Sequence, residues 1–172
     1  MGKNLIDLYT DYLISSFSQT TATGLSTLVD GCLSHDQITT FLAESDLDSK
    51  SLWLHVKPMV RELEKAKGTG VLIFDDSIAE KPYSDENEIV CYHWDHSKKH
   101  YIKGINFLNC LFEKDGISLP VSAEIIEKDE CFIDPKTGKE KRRSSITKNQ
   151  LMQKMLTVTQ NNRVLYDYVL AD

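Results

Sequence analysis

Val71-Leu72-Ile73-Phe74-Asp75-Asp76-Ser77 is the stretch that decides how this chain folds. Four consecutive apolar residues read as a strand buried on both faces, and that strand delivers two adjacent carboxylates to its end. Aspartates after a strand also start ordinary turns. A second β-rich run, Val164-Leu165-Tyr166-Asp167-Tyr168-Val169-Leu170-Ala171-Asp172, again finishes on an aspartate. Two strands therefore have the means to bring carboxylates to one place.

Two more strand-like runs and a helix lie between them. A strand, an antiparallel meander and a helix crossing over to a strand parallel with the first would set both carboxyl ends on one side of a sheet. Oxygen ligands held in that way suit Mg²⁺ or Mn²⁺. A carboxylate cluster around such ions serves in-line displacement at phosphorus, which points to phosphoryl transfer on nucleic acid.

Several segments, taken together and in order, carry a family likeness. They are Asp75-Asp76-Ser77-Ile78-Ala79-Glu80-Lys81, Tyr92-His93-Trp94-Asp95-His96-Ser97-Lys98-Lys99, Lys103-Gly104-Ile105-Asn106, Ser118-Leu119-Pro120-Val121 and Leu170-Ala171-Asp172. From about Leu33 to the end, the chain resembles the DDE transposases of bacterial insertion sequences. The resemblance implies a ribonuclease H-like core with one catalytic aspartate on the first strand and another at the end of the fourth. Asp76 and Asp172 match those positions and would be the metal ligands for Mg²⁺ or Mn²⁺, with Asp75 the neighbour that competes with Asp76 for the role. The family's third acid, a glutamate on a later helix, finds no counterpart before Asp172, so the expectation is the front part of such an enzyme.

Composition sets the outer limits. The chain has 172 residues, 41% hydrophobic and 27% charged, enough for one good core or for a domain and a smaller companion. No apolar run approaches the roughly 20 residues of a membrane span, and Met1-Gly2-Lys3-Asn4-Leu5 does not open a signal peptide; cytoplasmic residence is the expectation. Cys32, Cys91, Cys110 and Cys131 are scattered without a Cys-x-x-Cys pair, which fits reduced thiols. A net charge of −6 opposes generic nucleic-acid binding, since phosphate is neutralised by Lys and Arg. Only an uneven distribution of charge reconciles the two.

Residues 1–67 read as a helical domain and residues 68–172 as the partial ribonuclease H-like core, an α+β chain with a mixed sheet and a crossover helix. Leu5, Leu8, Tyr9, Tyr12 and Leu13 form one apolar stripe, and Leu25, Leu28, Val29 and Cys32 a second that Gly31 terminates. Ser34 and Gln37 form a capping box, and Leu52, Val56, Val60 and Leu63 mark a last helix that Pro58 is expected to kink. A helix-turn-helix around Gly31 is disfavoured as a DNA reader: from Asn4 to Ser49 there is no Lys or Arg, and an acidic face repels phosphate. Packing on the core or on a second subunit fits better. Glu64-Lys65-Ala66-Lys67-Gly68-Thr69-Gly70 supplies the hinge.

Positive charge gathers later in the chain. His96, Lys98, Lys99, His100 and Lys103 follow the Tyr92–Asp95 run, where Lys98, Lys99 and Lys103 are expected to contact a DNA phosphate, and Cys91, His93, His96 and His100 do not have the spacing of a closed zinc site. Asp115-Gly116 between two β-rich runs signals a hairpin, with Pro120 marking an edge or a bulge. From Lys136 to Lys148, six Lys or Arg against Glu140 leave +5, a stretch suited to DNA backbone contact through Lys141, Arg142 and Arg143. Thr147 caps the helix that follows, striped by Leu151, Met155 and Val158.

The partners implied are DNA, in the form of mobile-element ends and target, and either a second copy or an intact transposase; the rival expectation is a non-catalytic fragment that binds DNA or interferes with such an enzyme. With two acids and no third, the isolated chain is expected to be inactive. In Mg²⁺ or Mn²⁺ it should nick DNA no faster than its Asp76→Ala variant, a comparison that plasmid relaxation measures directly.

Overall fold

Thr21, Ser34 and Asp48, whose side chains compete for backbone hydrogen bonds, open helices in the first third of the computed structural model, which describes residues 2–17, 20–45 and 47–171. The helices are α1 (Gly2–Ser15), α2 (Ala22–Leu28), α3 (His35–Glu44) and α4 (Ser49–Leu63). Ser34 and Gln37 form the reciprocal capping box read from the sequence. Asp30 and Gly31 leave α2 at φ +52° and +72°, and Gly31 N–H closes the end on the Ser26 carbonyl at 2.9 Å.

Two compact units divide at a different place from the hinge read at Gly68: they are Met1–Asp46 and Leu47–Asp172. The first has its own core of Tyr12, Leu25 and Ile38, with Leu8, Tyr9 and Leu42 against it. Helix α4 belongs with the second unit, because the apolar stripe of Trp53, Val56, Val60 and Leu63 lies on the sheet. It runs through Pro58.

That second unit contains β1 (Val71–Glu80), β2 (Cys91–Asp95), β3 (His100–Lys114), β4 (Ile117–Ile125), β5 (Glu130–Ile133), β6 (Glu140–Arg143), α5 (Lys148–Asn161) and β7 (Tyr168–Ala171). The fold is α+β with a mixed five-stranded sheet. β1 is antiparallel to β3 over its whole length and parallel to β7 from Val71↔Tyr168 to Phe74↔Ala171. On its other edge β3 holds β2, through Cys91↔Gly104, and β4, through Leu108↔Glu124. The β3–β4 turn is the expected Asp115-Gly116 hairpin, with both residues at positive φ. Pro120 lies on the edge strand β4 beside a register shift at Cys110/Leu111, so both consequences read from that proline occur together. Within the basic segment Glu140–Arg143 is a strand, and β5 paired with β6 makes a second small sheet.

Strand alternation places the core on one face. Leu72, Phe74, Leu108, Cys110 and Phe112 meet α4 and α5 through Trp53, Val60 and Met155. Leu72 and Phe112 are fully buried, each a contribution of roughly 1.5–3 kcal/mol. Val71, Ile73, Ile105, Phe107 and Leu111 on the other face are half-buried, so β1 is not closed on both faces as its apolar run predicts. Arg61 ties the helices together: its guanidinium lies 5.7 Å from the Trp53 ring centroid, pairs with Glu64 at 2.7 Å, and donates to the Asn162 and Arg163 carbonyls beyond α5. Glu64 in turn accepts from Leu165 N–H at 2.9 Å. Among the described residues no helix is long and apolar enough to cross a membrane.

Gly104 is where β1, β2 and β3 come closest, since it pairs with Glu80 and Cys91 at once. A methyl there would collide with the Ala79 carbonyl. Gly104→Ala should cost about 1–3 kcal/mol, read as a lower urea midpoint at unchanged m-value; a midpoint equal to wild type would show that the strands part freely.

Candidate functional site

Asp75 and Asp76 do not sit at the end of β1, as the sequence reading has it, but within it, because pairing with β3 continues to Glu80. Adjacent strand residues face opposite ways. Asp75 is exposed on the half-covered face, whereas Asp76 is half-buried on the face that carries the core. There it accepts hydrogen bonds on Oδ2 from Lys148 Nζ at 2.6 Å and from Asn106 Nδ2 at 3.2 Å. Lys148 opens α5, which Thr147 starts with a capping box to Gln150, so a helix N-terminus, a central strand and its antiparallel neighbour converge on one carboxylate.

Burial works to raise the Asp76 pKa, but the Lys148 hydrogen bond and charge, then Asn106 and His96, outweigh it and hold the carboxyl below 3.8. The group is an anion at neutral pH. A cavity of about 640 Å³ lies beside it, lined by Asp75, Asp76, Trp94, Asp95, His96 and Lys148 among others. This is a polar site with an ionised carboxylate, a fixed ammonium and an imidazole around one space.

The donors present decide whether a divalent cation fits. Asn106 is 2% exposed and its Oδ1 has no hydrogen-bond partner among the described residues, so one buried oxygen beside Asp76 is free to accept. Against that, Lys148 already supplies the positive charge that Asp76 requires, and among the described residues no three His, Cys, Asp or Glu side chains converge as a metal centre. The described residues alone do not complete the oxygen cage that Mg²⁺ or Mn²⁺ takes. Asp172 lies outside the described residues; Ala171 before it pairs with Phe74, two positions short of Asp76.

The basic residues read as DNA contacts divide by their partners. Lys98 is paired with Glu80, Lys141 with Asp134 and Arg143 with Glu130, the last at 2.7 Å. Lys99, Lys103 and Arg142 carry no ion pair among the described residues. Hydrogen bonds from Lys141 and from Lys136 N–H bring Asp134 down to about 2, which fixes that aspartate as the charged anchor of the β5–β6 turn. Much of the +5 is therefore spent inside the hairpin itself.

Cys91 Sγ and His93 Nε2 meet at 3.2 Å on the buried face of β2. Burial, and then the charges of Lys128 and Lys148, push His93 down to about 4, while burial pushes the Cys91 thiol up. Neither is ionised at neutral pH, so the pair is a packed neutral contact and not an activated nucleophile. The sequence alone gives Asn106 and Lys148 no place at the site, although an amide at a buried strand position inside Ile105-Asn106-Phe107-Leu108 marks a polar group that needs a partner.

The histidine gives a pH prediction. The unfolded ring titrates near 6.5 and the folded ring near 4, so between those values the unfolded chain binds the extra proton. Stability should be complete above about pH 6.5 and fall by roughly 3 kcal/mol as pH drops toward 4. Asp76, whose folded pKa is lowered, adds a further loss only below 3.8. Denaturant melts from pH 7 to 4 should show the slope in wild type and a flat response in His93→Gln; the same slope in both would remove His93 as its source.

Compared with known proteins, the chain matches no family model, no curated protein and no solved structure.

Proposed function

We propose that this chain is a transposase-type protein that acts on DNA but is inactive in isolation, with Asp76 as the first acid of its phosphodiester-transfer site. The observation that carries the reading is topological. β1 has an antiparallel neighbour, β3, on one edge and a parallel one, β7, on the other, and the route to β7 passes through the crossover helix α5. β4-β3-β1-β7 is the strand order that a ribonuclease H-like core would present, and Asp76 is its ionised, half-buried carboxylate beside a polar cavity.

By the family resemblance Asp172 is the second acid and Mg²⁺ or Mn²⁺ the ion. This chain's own residues do the following. Asn106 orients the Asp76 carboxylate through Oδ2, Lys148 balances its charge, and His96 lines the cavity in which a phosphate would lie. A second reading, a non-catalytic fragment that binds DNA or an intact transposase, is favoured by the same Lys148 contact, because an aspartate already satisfied by an ammonium needs no metal.

One titration separates the two. Mn²⁺ binding followed by electron paramagnetic resonance should weaken at least tenfold in Asp76→Asn and strengthen in Lys148→Met, where the competing ammonium is gone. Equal Mn²⁺ affinity in wild type and Asp76→Asn would remove the phosphodiester-transfer site and leave the non-catalytic reading.

A further inference from the structure

Strand β2 turns Cys91 and His93 inward and Tyr92 and Trp94 outward, and the cross-strand partner of Trp94 is Tyr101. The three rings are 51%, 43% and 66% exposed. Trp94 and Tyr101 form an edge-to-face pair with centroids 5.2 Å apart. Aromatic side chains dominate burial energetics when they are enclosed, so three together in solvent on one short hairpin are not explained by the core.

Cationic side chains lie beside Tyr92 and Tyr101. Lys103 is the cross-strand partner of Tyr92 and has no ion pair among the described residues. Tyr92 and Tyr101 also line a cavity of about 520 Å³ in which Lys128, Lys141 and Arg142 outnumber Glu86 and Glu140. Lys128 Nζ reaches the Tyr92 carbonyl at 2.5 Å. Trp94, further along the same face, lines the cavity beside Asp76. An aromatic row thus joins a basic pocket to the carboxylate site.

We infer that this row is a stacking platform for single-stranded nucleic acid. Residues two apart on a strand stand about 6.6–6.8 Å apart, roughly twice the 3.4 Å step of stacked bases, so the Tyr92 and Trp94 positions leave room for one base between them. Platforms of this kind combine aromatic faces with a positively charged groove that follows the backbone. A duplex offers no free base face, and no leucine, isoleucine or valine lies in the row to favour an apolar protein partner. The inference shares with the proposed function only the class of ligand; it depends on neither Asp76 nor a metal.

The test uses the whole chain, EDTA and oligo(dT) of about eight nucleotides, within the usual site size of such platforms. Trp94 fluorescence should be quenched on binding, while Trp53, buried under Arg61, provides a constant background. By anisotropy, Tyr92→Ala and Tyr101→Ala should each weaken binding about tenfold or more, Tyr101→Phe should retain it, and Arg142→Gln should flatten its salt dependence. Oligo(U) binding in place of, or beside, oligo(dT) supports the platform and assigns the sugar. The inference is overturned if a duplex of the same length binds as tightly as the single strand. It is equally overturned if Tyr92→Ala and Tyr101→Ala, melting like wild type, bind with wild-type affinity.

Discussion

Strand β1 is hydrogen-bonded along both edges, to β3 throughout and to β7 over its first four residues, and most of the second unit follows from that. A parallel partner cannot be reached by a tight turn, so the chain must travel through the β5–β6 hairpin and α5 before returning as β7. The return is held at its first step: Gly70 N–H donates to Asp167 Oδ2 at 2.8 Å, and Asp167 N–H donates to the Gly70 carbonyl at 2.8 Å. A side chain at Gly70 would press on the Leu165 carbonyl and the Phe112 ring. Arg61 and Glu64 then clamp the turn between α5 and β7 to the end of α4.

Among the described residues β7 follows β1 from Val71↔Tyr168 to Phe74↔Ala171, and Asp76 lies two positions further along β1. Lys148 approaches it from the start of α5, and the contact is charge-assisted and partly shielded from water. Truncating Lys148 would leave a half-buried anion with only Asn106 as its donor, which is why the lysine and the carboxylate are best regarded as one unit. The same principle organises the β5–β6 hairpin. Asp134 and Glu130 draw Lys141 and Arg143 into ion pairs, and Arg143 also lies 5.5 Å from the Phe132 ring centroid. A run that looks strongly basic in one dimension becomes mixed in three.

Local chemistry was legible from the sequence. Ser34 with Gln37, Thr147, Asp115-Gly116 and Pro120 each act within a few residues through hydrogen bonds or fixed dihedrals, and each took the form read from it. The apolar periodicity of Leu52, Val56, Val60 and Leu63 gave a helix, but periodicity names a buried face and not what buries it. Only packing assigned α4 to the sheet and moved the division of the chain to the Asp46/Leu47 junction. The α+β class with a mixed sheet was likewise readable, since an antiparallel hairpin and a helix between strands announce themselves.

The candidate site was half visible. Adjacent aspartates after an apolar run drew attention to Asp75 and Asp76, yet the end of a strand depends on its partner, and β3 extends β1 to Glu80. Alternation in the paired strand then sends the two carboxylates to opposite faces and gives only Asp76 a buried environment. Sequence by itself determined the element types, the hairpin and cap chemistry and the presence of an acidic and a basic stretch, because those are properties of neighbours along the chain. Tertiary structure decided that Asp76 meets Asn106, 30 residues away, and Lys148, 72 residues away. Which distant charge lies against which carboxylate is set by strand register and helix placement, and these arise only when the whole sheet is formed.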